Sequence, residues 1–251
     1  MRVYGIIGRP LGHSLSRDYF EAKFDKLGLT DCRFEKFALP GIGAIEGVLA
    51  EYGDSLKGFC VTIPYKKEII ARLDSISDEA RAIGAVNCVR VREGRLAGFN
   101  TDAHGFRVGL EQLLGPGNLV PGHRPRALVL GTGGASCAVR HVLETAGVDY
   151  KMVSRTPGPG LITYADLTPE IVNDHKLIVN TTPLGTTPDV EGKPPIPYGA
   201  VGPGHFLYDL VYNPPFTAFL AGGARGGAAT MNGEAMFRNQ AEKNWQIWNG
   251  D

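Results

Sequence analysis

The segment RALVLGTGGAS, 126–136, constrains this chain more than any other. Residues 126–131 hold an apolar run of the kind that forms a strand covered on both faces. Gly131, Gly133 and Gly134 follow at once, and a helix is expected from Ala135 to Ala146. Strand, glycine turn and helix in that order predict a β-α-β unit whose turn lets backbone N–H groups approach a pyrophosphate at the positive end of the helix. A purely structural turn is the alternative, and the β-α-β context argues against it. The next strand, YKMVS (150–154), runs into Ser154-Arg155-Thr156. No acid stands there to take a ribose 2′-hydroxyl, whereas Arg155 suits a 2′-phosphate by bidentate hydrogen bonds and Ser154 and Thr156 can donate to the same oxygens. NADP is therefore expected over NAD. For Arg155 alone, an exposed charge ending a strand is the bland alternative.

Upstream, RVYGIIG (2–8), CRFEKFA (32–38), GFCVTI (58–63) and AVNCVRV (85–91) are short β-branched or aromatic runs and read as strands. Between them Tyr19, Phe20, Phe24 and Leu27 recur at helical spacing behind Ser16, and 42–52 and 65–73 read as further helices. Downstream, KLIVNTT (176–182) and HFLYDLVY (205–212) continue the strand pattern. Ala235, Met236, Phe237, Ala241, Trp245 and Trp248 mark an amphipathic helix over 233–248. This is the alternation of an α/β protein with mostly parallel sheets. Turn formers at Gly115-Pro116-Gly117 and Pro121-Gly122 separate two domains, and a cleft between them is the expected ligand site.

The 251 residues carry 26 Lys and Arg against 26 Asp and Glu. That balance leaves no electrostatic footprint for nucleic acid or an anionic membrane, so the expected partner is a small molecule. No uncharged run approaches the roughly 18 residues of a membrane span, and the apolar stretch before Gly8 is too short for a secretory core. Cys32, Cys60, Cys88 and Cys137 include no C-x-x-C pair, which speaks against a zinc site or a disulfide framework. A cytoplasmic protein without a metal is expected, with monomer and homodimer equally open.

Four further segments set polar residues beside turn formers: GRPLGHSLS (8–16), VTIPYKK (61–67), GAVN (84–87) and NTDAHG (100–105). They combine with GTGGAS (131–136), SRT (154–156), NTTPLG (180–185), YDLVYNPPFT (208–217) and GEAMFRNQA (233–241). In that order and over nearly its whole length, the chain resembles the shikimate dehydrogenase family. The resemblance implies a substrate-binding domain over 1–101 plus 233–251 and a Rossmann-like NADP-binding domain over 102–232. It implies that Lys66 and Asp102 are catalytic, that Ser14 and Ser16 meet the substrate carboxylate, and that Thr62, Asn87 and Gln240 meet its hydroxyls with Tyr212 nearby. Its cofactor positions fall on Gly131, Thr132, Gly133, Gly134, Ala135, Ser154, Arg155, Thr156, Leu210 and Gly233, with Asp78 a further one. The activity implied is reversible, NADPH-dependent reduction of 3-dehydroshikimate to shikimate, on the route to aromatic amino acids.

The chemistry calls for such residues. When hydride reaches a carbonyl carbon, negative charge develops on oxygen and a proton must follow, and a placed ammonium serves both needs. Lys66 is the candidate ammonium and Asp102 the group that orients it. Burial lowers a lysine pKa and a nearby carboxylate raises it, so the two effects oppose each other. A role for Lys66 in binding and charge stabilisation alone stays open. Taken singly, Lys66 reads as a solvated charge, Asp102, Ser14 and Ser16 as helix caps, Asn87 as a strand-edge amide and Gln240 as a surface residue. His13 reads as structural.

The chain departs from the family at several positions. Arg17, Phe20 and Glu21 replace a usual Pro and His-Asn pair, which bears on how the first helix packs. Cys60 replaces a usual Asn and predicts a thiol beside Lys66 that is sensitive to alkylation. Ala103 replaces a Gly. Pro157-Gly158-Pro159-Gly160 lacks the second basic residue, so weaker 2′-phosphate affinity is expected. Two rivals remain: a quinate/shikimate dehydrogenase preferring NAD, and a catalytically silent nucleotide-binding regulator on the same fold. Arg155 argues against the first, and the presence of Lys66 and Asp102 against the second.

Overall fold

The structure is a computed structural model that describes residues 1–12, 14–115 and 124–250. His13 and the turn formers at 116–122 lie outside the described residues. The chain divides into two compact units, Met1–Thr101 with Gln240–Asp251, and Asp102–Asn239.

The first unit contains β1 (Arg2–Gly8), α1 (Ser16–Lys26), β2 (Cys32–Ala38), α2 (Ile45–Tyr52), β3 (Leu56–Val61), β4 (Ser75–Ile76), α3 (Asp78–Ile83), β5 (Cys88–Arg92) and β6 (Arg95–Phe99). The strands form one sheet in the order β2-β1-β3-β5-β6-β4. All run the same way except β5, which is antiparallel to β3 and β6. Side chains alternate across a strand, and both faces are buried. Val3, Ile7, Phe59, Val61, Val89 and Val91 join one core, while Tyr4, Ile6, Cys60 and Cys88 join another with Phe20, Phe24, Ala241 and Trp248. Phe20, one of the departures in the first helix, is fully buried and stacks on Phe34 with ring centroids 4.9 Å apart. Arg17 and Glu21 pair at 2.7 Å on its exposed side. Packing of α1 therefore survives those changes.

Two expectations change in this unit. No regular α-helix fills 65–73: a turn leads into a short 3-10 helix, Glu68–Arg72. The Lys66 carbonyl accepts the Val86 N–H at 2.7 Å, so it is committed to a bond across the sheet. Ser16 is also not the cap of α1 but its first residue, with Leu15 at the cap position and no side-chain cap.

The second unit contains α4 (Asp102–Leu114), β7 (Ala127–Leu130), α5 (Gly134–Thr145), β8 (Tyr150–Ser154), β9 (Leu161–Thr163), α6 (Pro169–Asp174), β10 (Leu177–Asn180), β11 (Phe206–Asp209), α7 (Ala218–Arg225) and β12 (Ala229–Met231). Its sheet is parallel throughout, in the order β12-β11-β10-β7-β8-β9. Successive strands step outward on each side of the central pair β7 and β10, the arrangement of a doubly wound dinucleotide fold. The final helix, α8 (Glu234–Asn249), gives residues 240 onward to the first unit.

Candidate active site

In the first unit the expected substrate residues gather at one edge of the sheet. β1, β3 and β6 all end at this edge, and the reversed strand β5 begins there, so Ser14, Thr62, Lys66, Asn87 and Thr101 follow or precede strand ends on the same side. Ligands of α/β sheets bind outside the carboxyl ends of strands. The Thr62 N–H donates to the Ile7 carbonyl at 3.0 Å, and a side chain at Gly8 would overlap the Thr62 methyl, so glycine lets the two strand ends close up. The Tyr65 hydroxyl donates to the Leu39 carbonyl at 2.7 Å and anchors the turn that carries half-buried Lys66. Ser14 is half-buried, Ser16 is buried, and the Ser14 Oγ accepts the Ser16 N–H at 3.3 Å. Asp102, 6% exposed, opens α4 directly after Thr101.

Helix α8 lies on the same sheet. The Trp248 Nε1–H donates to the Val89 carbonyl at 3.0 Å, and one turn earlier Asn244 donates to the Cys60 Sγ at 3.3 Å. One turn earlier again, Gln240 sits with its Oε1 3.4 Å from Asn87 Nδ2. The structure thus brings Asn87 and Gln240 together although 153 positions separate them. Thr101 and Asn244 complete the cluster, and sequence reasoning missed both. Asn244 falls four positions after Gln240, on the same helical face, and that spacing is the one signal that could have found it. Cys60 is 5% exposed within the aromatic core, which corrects the expectation of a readily alkylated thiol.

In the second unit the glycine turn stands at the carboxyl end of β7. Gly131 has φ +107, a left-handed backbone conformation, and a side chain there would crowd Thr181 and Thr182. Thr132 and Gly133 are exposed, Gly134 and Ala135 half-buried, and no side chain caps the first turn of α5. Its N–H groups therefore form a ready anion site. At the end of β8, buried Ser154 accepts the Thr156 N–H at 3.2 Å, and Arg155 and Thr156 are exposed. Leu210 follows β11, and Gly233 approaches its carbonyl so closely that any Cβ would collide. Half-buried Tyr212 stacks on Phe237 at 5.0 Å. Asp78 is exposed and opens α3 in the first unit, whereas the other expected cofactor positions all belong to the second.

Asp209 ties the ends of β10 and β11 together. Its carboxylate accepts Asn180 Nδ2 at 2.9 Å, the Val211 N–H at 3.0 Å and the Thr217 hydroxyl at 2.5 Å. Burial outweighs these three donors and pushes its pKa up to about 6. Among the described residues no cluster of His, Cys, Asp and Glu is arranged to hold a metal, and no helix is long and apolar enough to cross a membrane.

Comparison with known proteins bears on the same residues. Residues 6–89 match the profile of the shikimate dehydrogenase substrate binding domain. The shikimate dehydrogenase (NADP(+)) of Caldanaerobacter subterraneus subsp. tengcongensis is 33% identical over 267 aligned positions, which take in 100% of this chain and 92% of that protein. That of Carboxydothermus hydrogenoformans is 35% identical, across 99% of this chain and 92% of its own length. The crystal structure of shikimate 5-dehydrogenase from Thermus thermophilus, in complex with NADP(H) and shikimate, superposes with a TM-score of 0.86 at 34% identity, covering 100% of this chain and 94% of that one. With relatives this similar along their whole length, the chain belongs to the shikimate dehydrogenase family.

Proposed function

We propose that this protein is an NADP-dependent shikimate dehydrogenase, reducing 3-dehydroshikimate to shikimate reversibly, with Lys66 and Asp102 as its catalytic pair. One observation carries the substrate side of this reading: Thr62 and Lys66 from one segment, Asn87 from a second and Gln240 from a third converge on the carboxyl edge of the first unit's sheet. The residues of the second unit fit the cofactor. The left-handed Gly131 and the uncapped start of α5 suit a pyrophosphate, and exposed Arg155 and Thr156 suit a 2′-phosphate. Thr132, Gly133, Gly134, Ala135, Ser154, Leu210 and Gly233 complete that surface, with Asp78 assigned to the cofactor by resemblance alone. When bound, the reduced nicotinamide supplies a hydride to the substrate ketone.

The protein's own residues do the rest. Ser14 and Ser16 donate to the substrate carboxylate, Thr62, Asn87 and Gln240 hold its hydroxyls, and Tyr212 borders the site. Lys66 Nζ stabilises the charge that grows on the ketone oxygen and delivers the proton that completes the alcohol, while Asp102 orients the ammonium. We place the enzyme in the cytoplasm, a reading supported by four cysteines of which none is disulfide-bonded. Following nicotinamide absorbance with 3-dehydroshikimate, and with the quinate-type ketone, tests the assignment. Turnover of 3-dehydroshikimate with NADPH is the expected result. Preference for NADH would favour the NAD-linked rival, and no turnover of either ketone would favour a silent nucleotide-binding regulator.

A further inference from the structure

We infer that Asn244 is a positioning residue that sets the hydrogen-bond polarity of Gln240, so that a ligand meets the amino end of that side chain and not its carbonyl. The ligand's identity rests on the functional reading above; the polarity does not.

The polarity follows from a chain of bonds that starts at a group with only one role. The backbone N–H of Thr101 can only donate, and it donates to Asn87 Oδ1 at 2.6 Å. The other end of Asn87 is then its amino group, which donates to Thr101 Oγ1 at 2.9 Å. A threonine hydroxyl has one proton. It lies 3.3 Å from Asn87 Oδ1 but only 2.6 Å from the nearer amide atom of Asn244, a separation that fits O–H···O and is short for N–H···O, so that atom is Oδ1 and takes the proton. Asn244 must therefore point Nδ2 the other way, where it donates to Gln240 Oε1 at 3.0 Å and to Cys60 Sγ at 3.3 Å. Asn87 Nδ2 is a further donor towards the same Gln240 oxygen, at 3.4 Å. Two donors thus hold the Gln240 carbonyl inward, and Nε2 is the end left to a ligand.

Asn244 is 0% exposed, so it acts through Gln240 and not by touching substrate. A glutamine amino group donates to hydroxyl or carboxylate oxygens, which is what a polyhydroxylated acid offers. Turning the amide over would set a carbonyl against those oxygens.

Asn244→Asp tests this. A carboxylate at 244 still accepts the Thr101 hydroxyl but can no longer donate to Gln240, so the glutamine reverses to give its amino group to the new acceptor. The KM for shikimate should rise at least about fivefold, the scale of one mispaired hydrogen bond, while the KM for NADP and kcat stay near wild type. The rise should vanish in a Gln240→Ala background, because the effect runs through Gln240. Asn244→Ala, which frees the glutamine without reversing it, should give a smaller rise. An unchanged KM in Asn244→Asp, a persisting rise in the Gln240→Ala background, or a larger effect from Asn244→Ala would each overturn the inference. Should Asn244→Asp fail to fold, Gln240→Glu presents the reversed polarity with Asn244 intact; a raised KM there supports the inference and an unchanged one overturns it. Should the wild-type enzyme not oxidise shikimate, the functional reading falls, and the polarity is read by NMR from solvent exchange of the Gln240 side-chain amide protons. Faster exchange in wild type than in Asn244→Asp upholds the inference, and equal or slower exchange defeats it.

Discussion

Arg155 follows β8 as an exposed cation with no acid on either side of it, so in the proposed function it selects NADP by what it adds and not by what it excludes. Charge-assisted hydrogen bonds of this kind contribute about 1.5–3 kcal/mol, so Arg155→Ala should cut kcat/KM with NADPH by roughly tenfold or more. Efficiency with NADH should hold, and steady-state rates with both cofactors check this; equal losses would remove Arg155 from 2′-phosphate recognition. Asp209 makes a prediction about pH. Its pKa rises from the ordinary 3.8 to about 6 because burial disfavours the charged carboxylate. Between those values the native chain holds a proton that the unfolded chain has released, so this group's contribution to stability is present below 3.8 and is lost as pH rises through about 6. Denaturant unfolding across that window should show wild type losing stability relative to Asp209→Asn as pH rises, and a gain would contradict the assignment. At this scale the sequence was informative wherever a residue's role is local. Gly131 announces its turn, and Arg155 stands where an acid is expected. Asn244 offered only its spacing from Gln240: among Glu242, Lys243 and Gln246 it looks like one more polar residue on a helix surface. Its burial depends on Cys60 and Thr101, which arrive from distant segments.

Helix α8 is held to the first unit's sheet at Gly58. A Cβ there would overlap the Trp248 ring, whose Nε1–H bonds the Val89 carbonyl at 3.0 Å. Gly58→Ala should push helix and strand apart and destabilise the fold by about 1–3 kcal/mol, the usual cost of overpacking. Chemical denaturation measures this, and an unchanged midpoint would show that the helix is not seated as described. The periodicity of 233–248 made α8 legible, whereas its partner face was not, since glycine in a strand reads equally as a bulge. β6 was missed because RLAGF is short and begins with a charge. Its signal was the preceding Glu93-Gly94, both at positive φ, which closes a tight hairpin with β5. The helix expected at 65–73 failed because local periodicity cannot reveal that the Lys66 carbonyl is engaged by Val86.

The molecule divides the proposed chemistry between its units. The first supplies the sheet edge with Thr62, Lys66 and Asn87, and the second the glycine turn and Arg155, with Asp102 opening the second unit where the first hands over the chain. The parallel order of the second sheet could be anticipated from alternating strands and helices, while the reversal of β5 was legible only in the Glu93-Gly94 turn, because a hairpin inserted in a parallel series leaves the hydrophobic pattern unchanged. That reversal places Asn87 on the working edge of the sheet. In the proposed mechanism the Lys66 amine acts on the substrate's ketone oxygen. Turnover of Lys66→Ala, measured with saturating 3-dehydroshikimate and NADPH and with folding verified by circular dichroism, tests it most directly. A loss of at least about 100-fold with the fold intact is expected, and near-wild-type turnover from that variant would remove the Lys66 amine from the reaction.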